Sequence, residues 1–176
     1  MRPLYFFLAA IMRMIMPQHR IKIRPANKAD LDAINRVIET AVMTWDLPER
    51  VKRLSLSSYR YNELDFEHLD MVVAERSSAH VIGIAAWEPA DVKDTPAGHT
   101  SLLLHGIYVI PAYHRQGIGQ QLFQAAEHAV REHHLDGLLV KAQQDANDFF
   151  LSMGMSRLPV EDPKRHYANR FWKRTD

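Results

Sequence analysis

The sequence predicts an α/β or α+β domain built around one mixed sheet. Three observations lead there. Runs of period-two apolar alternation are interleaved with runs of helical spacing, the pattern of a sheet covered by helices. The length of 176 residues allows one compact domain with at most a short appendage, because independent domains run to roughly 100–200 residues. Hydrophobic residues at 47% and charged residues at 24% are ordinary globular values, which excludes wholesale disorder and a polytopic membrane protein.

Ile21-Lys22-Ile23-Arg24 alternates apolar and polar before Pro25 and reads as a short half-buried strand. Asn27 and Asp30 are placed to cap a helix whose apolar face is Leu31, Ile34, Val37, Ile38, Ala41 and Val42. From Trp45 to Leu64 the pattern is broken by Pro48 and by the Ser55 to Ser58 stretch, which predicts one irregular helix flanked by loops. Asp70 to Glu75 and His80 to Trp87 are β-rich and close together, so they read as a hairpin turning across 76–79. A polar loop from Pro89 to His99 leads into Ser101 to Ile110, the most strand-like segment, which Pro111 ends. Gly117 to His134 carries Ile118, Leu122, Phe123, Ala126, Ala129 and Val130 at helical spacing, with Gly137 as the expected stop. A short strand (Leu138 to Lys141), a short helix (Asp145 to Met153) closed by Gly154, and a final strand (Ala168 to Lys173) complete the order.

Residues 1–20 stand outside this pattern. Leu4 to Met12 is uninterrupted and apolar, yet shorter than the ~20 residues a bilayer span needs. Arg2 is its only preceding charge, and no small-x-small cleavage site follows. The expectation is an apolar N-terminal extension before a domain of residues 21–176, in a cytoplasmic protein without stable membrane insertion. The surface expected to cover the extension is the domain itself or a second subunit of a homodimer.

Composition removes several chemistries. The chain has no cysteine, so thiolate nucleophiles, Cys-ligated zinc, iron–sulfur clusters and dithiol redox motifs are excluded. Lys plus Arg at 22 against Asp plus Glu at 21 leaves a net charge of +1, too little long-range field to favour a nucleic-acid partner. None of the ten histidines falls in the H-E-x-x-H spacing, so no metal is expected, and His133-His134 reads as a solvated helix end.

Chemistry concentrates between the strongest strand and its helix, in Pro111-Ala112-Tyr113-His114-Arg115-Gln116-Gly117-Ile118-Gly119-Gln120. A strand turning directly into a helix leaves several amide N–H groups unpaired at the positive end of the helix dipole. Glycines at 117 and 119 let an anion approach that backbone, and Arg115 adds charge, so a pyrophosphate fits. A phosphate-binding Walker loop would need Lys-Ser or Lys-Thr after Gly119, and a dinucleotide fingerprint a third glycine at the position of Leu122; both are absent. Taken alone, Gly-Ile-Gly reads equally as a plain tight turn.

His114-Arg115-Gln116-Gly117-Ile118-Gly119 behind Ile107-Tyr108-Val109-Ile110-Pro111 resembles the acyl-coenzyme A signature of the GNAT superfamily of N-acetyltransferases. Arg24-Pro25-Ala26 resembles that family's usual opening, and Gln143-Asp145-Ala146-Phe149-Phe150-Gly154-Met155 its second cofactor segment. The resemblance spans Ile21 to Lys173. It implies the acyl-CoA N-acyltransferase fold, a single mixed and mostly antiparallel sheet flanked by helices. It also implies acetyl-CoA as cosubstrate and transfer of the acetyl group to a primary amine of a small molecule or peptide. The implied cofactor contacts are His114, Arg115, Gln116, Gly117, Ile118, Gly119 and Gln120 in the loop, Ile107, Tyr108 and Val109 on the strand, and Gln143 and Phe150 in the second segment. Three positions depart from the family pattern: His114 replaces a Gln or Arg, Gln143 an Asn, and Phe150 a Tyr thought to protonate the leaving thiolate. A phenyl ring cannot donate that proton, so Phe150→Tyr is expected to keep or raise turnover where its hydroxyl finds a partner.

The family's sheet opens between the strand ending at Val109 and the one beginning near Leu138, so the amides of Ile107 and Val109 are the expected polarisers of a thioester carbonyl. An alkylamine is mostly protonated at neutral pH and needs a base. His105, two residues before the inferred carbonyl site, is the first candidate, with Glu88 on the neighbouring strand as the second. A lone strand histidine reads equally as a buried one bonded to a backbone carbonyl. Strand alternation turns Tyr108 to the face opposite His105. Trp45, Tyr59 and Tyr61 line an acceptor pocket or simply pack, and Asp46, Glu49 and Asp65 are carboxylates able to attract an amine. Two other classes remain open at this level: a non-catalytic acyl-CoA sensor of the same fold, and an interaction module acting through the apolar N-terminus.

Overall fold

The computed structural model describes residues 21–76, 80–162 and 166–175; the N-terminal extension and the turn of the predicted hairpin at 77–79 lie outside them. In chain order the elements are β1 (Lys22–Pro25), α1 (Leu31–Val42), α2 (Glu49–Tyr59), β2 (Asp70–Arg76), β3 (His80–Pro89) and β4 (Ser101–Val109). They continue with α3 (Ile118–Glu132), β5 (Gly137–Lys141), α4 (Asn147–Ser152), β6 (Ser156–Arg157) and β7 (Arg170–Arg174). One sheet holds all the strands in the order β1-β2-β3-β4-β5-β7-β6. Every neighbouring pair is antiparallel except β4 with β5, as a mixed, mostly antiparallel sheet requires.

Each face of the sheet carries its own core. The apolar stripe of α3 (Ile118, Leu122, Phe123, Ala126, Val130) packs with Ile82, Trp87, Leu104, Leu138 and Phe171, and Phe150 of α4 joins them. The stripe of α1 (Ile34, Val37, Ile38, Ala41, Val42) covers the other face against Val73, Ile84, Ala86 and Tyr108. Burial on this scale, about 25 cal/mol per Å² of apolar surface, holds the helices to the sheet. The Asn27–Asp30 capping box forms, but on a 3₁₀ turn (Lys28–Asp30) that leads into α1 and not on α1 itself, to which Asp30 gives no side-chain cap bond: the Asn27 side chain accepts from the Ala29 N–H, and Asp30 accepts from the Asn27 N–H. Asp30 also takes two hydrogen bonds from the Arg24 guanidinium, which hold its carboxyl below the usual range.

Three sequence expectations change. The segment Trp45 to Leu64 resolves into α2 and a separate 3₁₀ turn at Glu63–Glu67 capped by Asn62. The two-residue β6 was not foreseen, being too short for any periodic signal. Gly137 does not stop α3, which ends at Glu132 with His134 taking the left-handed turn at φ 55°. Gly137 instead opens β5, where a Cβ would stand 2.5 Å from the Lys173 carbonyl oxygen and 2.7 Å from the Trp172 ring of β7. The glycine is there for close approach of two strands. Gly137→Ala is therefore expected to destabilise the fold by about 1–3 kcal/mol, the range for overpacking, read as a lower urea midpoint at unchanged slope.

Two irregularities of β4 set up the site. Its pairing with β5 runs only from Ser101–Gly137 to Leu104–Val140, because β5 ends at Lys141 and the Ala142 N–H donates to the Asn169 carbonyl, carrying the chain towards β7. His105 to Val109 thus face an open gap. On the other edge, Gly106 opposes Ala86 but Leu104 opposes Trp87, so His105 is the extra residue of a β-bulge.

Candidate active site

The bulge decides which side chains share a face. Trp87 and Leu104 belong to the α3 core, while Ala86 and Tyr108 belong to the α1 core, so Glu88, two residues after Ala86, lies on the α1 face. His105 lies there too, because its Nε2 is 2.8 Å from Glu88 Oε1. The extra residue shifts the alternation by one, which places His105 and Tyr108 on the same face and corrects the expectation that they oppose each other. The two base candidates are therefore one hydrogen-bonded pair, with side chains 33% and 37% exposed and open to a reactant. A carboxylate oxygen only accepts, so Nε2 carries a proton in this contact, and in the neutral ring the free lone pair is on Nδ1.

Tyr108 folds its ring over Gly106, where a Cβ would come within 2.7 Å of it. Burial raises its hydroxyl pKa well above the ordinary phenol value, and burial does the same to Tyr61. Both stay protonated and are unsuited to act as bases. Tyr59 is also raised by burial; its ring meets Trp45 edge-on at 5.0 Å, and its hydroxyl accepts from Gln143 Nε2 at 2.8 Å. Trp45, Tyr59 and Tyr61 all pack against the α1 core. Of the three carboxylates singled out there, Glu49 is held by Lys52 and Asp65 accepts from the Asn62 N–H, which leaves Asp46.

In the gap, backbone geometry fixes which groups point inward. The Ile110 N–H donates to the Ile82 carbonyl on the β3 side, so by alternation the amides of Ile107 and Val109 face the gap and that of Tyr108 does not. The Val109 carbonyl accepts from His114 Nε2 at 2.9 Å. The backbone bond considered for His105 is thus made by His114, which ties the following loop to β4. His114, expected among the cofactor contacts, spends its Nε2 on this backbone bond, and its spacing of five residues from a strand end is the signal for it in the sequence.

The loop delivers the unpaired amides that a strand-to-helix turn promises. Arg115 (φ 61°) and Gly117 (φ 77°) both take left-handed conformations, and α3 makes its first backbone bond only from the Gln121 N–H to the Gly117 carbonyl. The N–H groups of Gln116, Gly117, Ile118, Gly119 and Gln120 meet no acceptor among the described residues. The Ile118 side chain is core, so only its amide can serve a ligand. Arg115 and Gln116 are exposed beside this nest. Gly119 lies against Phe149, whose ring would be 3.2 Å from an added Cβ. Phe150 is 4% exposed and ringed by Phe123, Phe149 and Phe171 at 5.2–6.4 Å. Among the described residues no group of three or more His, Cys, Asp or Glu is arranged to hold a metal ion, and no helix is long and apolar enough to cross a membrane.

The sequence profile of the acetyltransferase (GNAT) family matches residues 39–155, about two-thirds of the chain. The chain belongs to that family. Its fold is the GNAT fold: PaiA N-acetyltransferase from Thermoplasma acidophilum, solved with coenzyme A, superposes with TM-score 0.70 at 15% identity over 88% of this chain and 99% of that one. A GNAT acetyltransferase from Staphylococcus aureus Mu50 gives TM-score 0.65 at 14% identity, covering 89% and 100%. One from Brucella melitensis in complex with acetyl-CoA gives 0.59 at 20%, covering 79% and 84%. No curated protein matches the chain at a significant level. The strand gap and the amide nest of this chain lie at consecutive points of one path, β4 into α3.

Proposed function

We propose that this GNAT protein is an N-acetyltransferase that moves the acetyl group of acetyl-CoA directly to the primary amine of a small molecule or peptide. Its catalytic unit is residues 21–176, with 1–20 as an extension. The observation that carries the reading is the Glu88–His105 pair standing at the mouth of the β4 gap, on the face opposite α3. Acetyl-CoA supplies the thioester whose carbonyl carbon the amine attacks. The amides of Gln116 to Gln120, at the N-terminus of α3, hold the pyrophosphate, with Arg115 beside them. His114 keeps the loop aimed by holding the Val109 carbonyl. Ile107 and Val109 donate into the gap, where fixed N–H groups stabilise the oxyanion that develops as the amine adds; such donors are often the largest catalytic term.

His105 Nδ1 takes the proton that the attacking nitrogen loses, directly or through one water, and Glu88 fixes the ring and balances the imidazolium that results. Glu88 is in that sense a positioning residue. No side chain at Phe150 donates to the departing sulfur, and none is obligatory: a thiol with pKa about 8.5 leaves tolerably as thiolate near neutrality. The ring's enclosure by three phenyl groups changes the expectation for Phe150→Tyr. The hydroxyl enters a site offering no acceptor among the neighbouring rings, so the variant is expected to lose about 1–3 kcal/mol of stability, measured by urea unfolding, with no gain in turnover. The function itself is tested by thiol release with acetyl-CoA and a panel of amines on the full-length protein. Release that rises with amine concentration supports transfer. CoA binding without release for any amine would make the chain a sensor instead.

A further inference from the structure

A cavity of about 300 Å³ lies where the α1–α2 loop (Trp45, Asp46), the chain leaving β5 (Gln143, Asp145) and the residues before β7 (Tyr167, Asn169) meet. Its position relates it to the gap. Ala142 and Gln143 in its wall immediately follow the end of β5, at which β4 and β5 part, and Gln143 bonds Tyr59 on the α1 face. The amide nest, in contrast, belongs to α3 on the other face. A cofactor laid from that nest into the gap therefore meets a second reactant arriving from this cavity.

The wall of the cavity is chemically one-sided. It carries two carboxylates and no Lys, Arg or His among the described residues. Asp145 Oδ2 accepts from the Asp46 N–H at 3.2 Å, while the Asp46 carboxylate and Gln143 Oε1 take no hydrogen bond from any described residue. Trp45 is held edge-on by Tyr59, and the Tyr59 hydroxyl is fixed by the Gln143 amide nitrogen. That leaves the Gln143 oxygen as a positioned acceptor beside an indole ring. Carboxylates, a carbonyl oxygen and aromatic faces are what an alkylammonium ion binds. At roughly 30 Å³ per water-sized group, the volume holds about ten non-hydrogen atoms, room for a short linear molecule and not for an oligosaccharide.

We propose that the acceptor is a linear alkyl diamine or short polyamine: one amine reacts in the gap while the alkyl chain lies against Trp45 and Tyr167 and the distal ammonium is held by Asp46 and Asp145. This rests on the acetyl-transfer reading above and narrows it to a substrate class. The test compares three acceptors that share a four-carbon chain in the thiol-release assay on the full-length protein: 1,4-diaminobutane, n-butylamine and 4-aminobutanoate. Exposed ion pairs and cation–π contacts are individually weak, so the expected preference in kcat/KM for the diamine over butylamine is about tenfold, with 4-aminobutanoate poorest because its carboxylate faces two others. Asp46→Asn combined with Asp145→Asn should collapse the diamine-to-butylamine ratio towards one. Butylamine used as well as the diamine, or a ratio that survives the double substitution, overturns the diamine assignment while leaving acetyl transfer standing. Release with none of the three, in a protein that still binds CoA by calorimetry, overturns the diamine assignment, and acetyl transfer falls with it only where the wider amine panel also gives no release.

Discussion

His105→Gln lowers kcat/KM for acetyl transfer by about 10²–10⁴-fold, the usual worth of a general base, while calorimetric affinity for CoA changes by less than twofold. The two readouts separate because His105 lies on the α1 face of the sheet, and the amides proposed to hold the pyrophosphate lie at the start of α3 on the other. Glutamine keeps a group able to donate to Glu88, so the carboxylate is not stranded and the fold should survive. Its amide has no basic lone pair at the place of Nδ1. Because His105 occupies the extra position of the β4 bulge, the substitution disturbs no ladder pair. A loss below about threefold in a normally folded variant would make the Glu88–His105 pair a surface hydrogen bond of no catalytic consequence.

Gly119→Val weakens CoA binding by roughly 10- to 100-fold, again by calorimetry, with the melting temperature followed in parallel. An added Cβ already meets Phe149 at 3.2 Å, and valine adds two methyl groups on the first turn of α3, where the amides face outward. Overpacking at this point costs about 1–3 kcal/mol, equivalent to one or two decades in affinity if it falls on the bound state. Gly119→Ala separates the contributions, since its single methyl presses on Phe149 without standing over the amides. If the valine variant binds CoA as tightly as the parent, the phosphate site lies elsewhere. If both variants lose stability equally and neither loses affinity, Gly119 serves only the α3–α4 packing.

Legibility differed by physical cause. The helices α1 and α3 announce themselves because each buries one stripe on one face of the sheet, and the stripe recurs every three or four residues. The amide nest was legible because left-handed backbone selects glycine, as at Gly117, although Arg115 shares that conformation without any such mark. The Glu88–His105 pair was half legible: both residues were singled out, but their contact depends on a bulge, and one extra residue leaves no trace in a hydrophobic pattern. The same omission put Tyr108 on the wrong face. Residues of the cavity such as Tyr167 and Asn169 were not found at all, since they come together only when the segment before β7 folds back to Ala142 and Asn147. Polar contacts between residues more than twenty positions apart carry no periodicity to read.

The gap in the sheet is made by where β5 stops, not by any side chain inside it. Pairing ends at Leu104–Val140, and the departing chain is held by backbone and amide bonds between Ala142 and Asn169. Chain length is therefore the sensitive variable along this route. Substitutions at His105 or Gln143 leave that edge where it is, whereas an inserted or deleted residue between Leu139 and Ala142 would move it by a full 3.3 Å step and close or widen the slot itself. Chemistry here is free to drift by exchange of side chains, so long as the count of residues is kept.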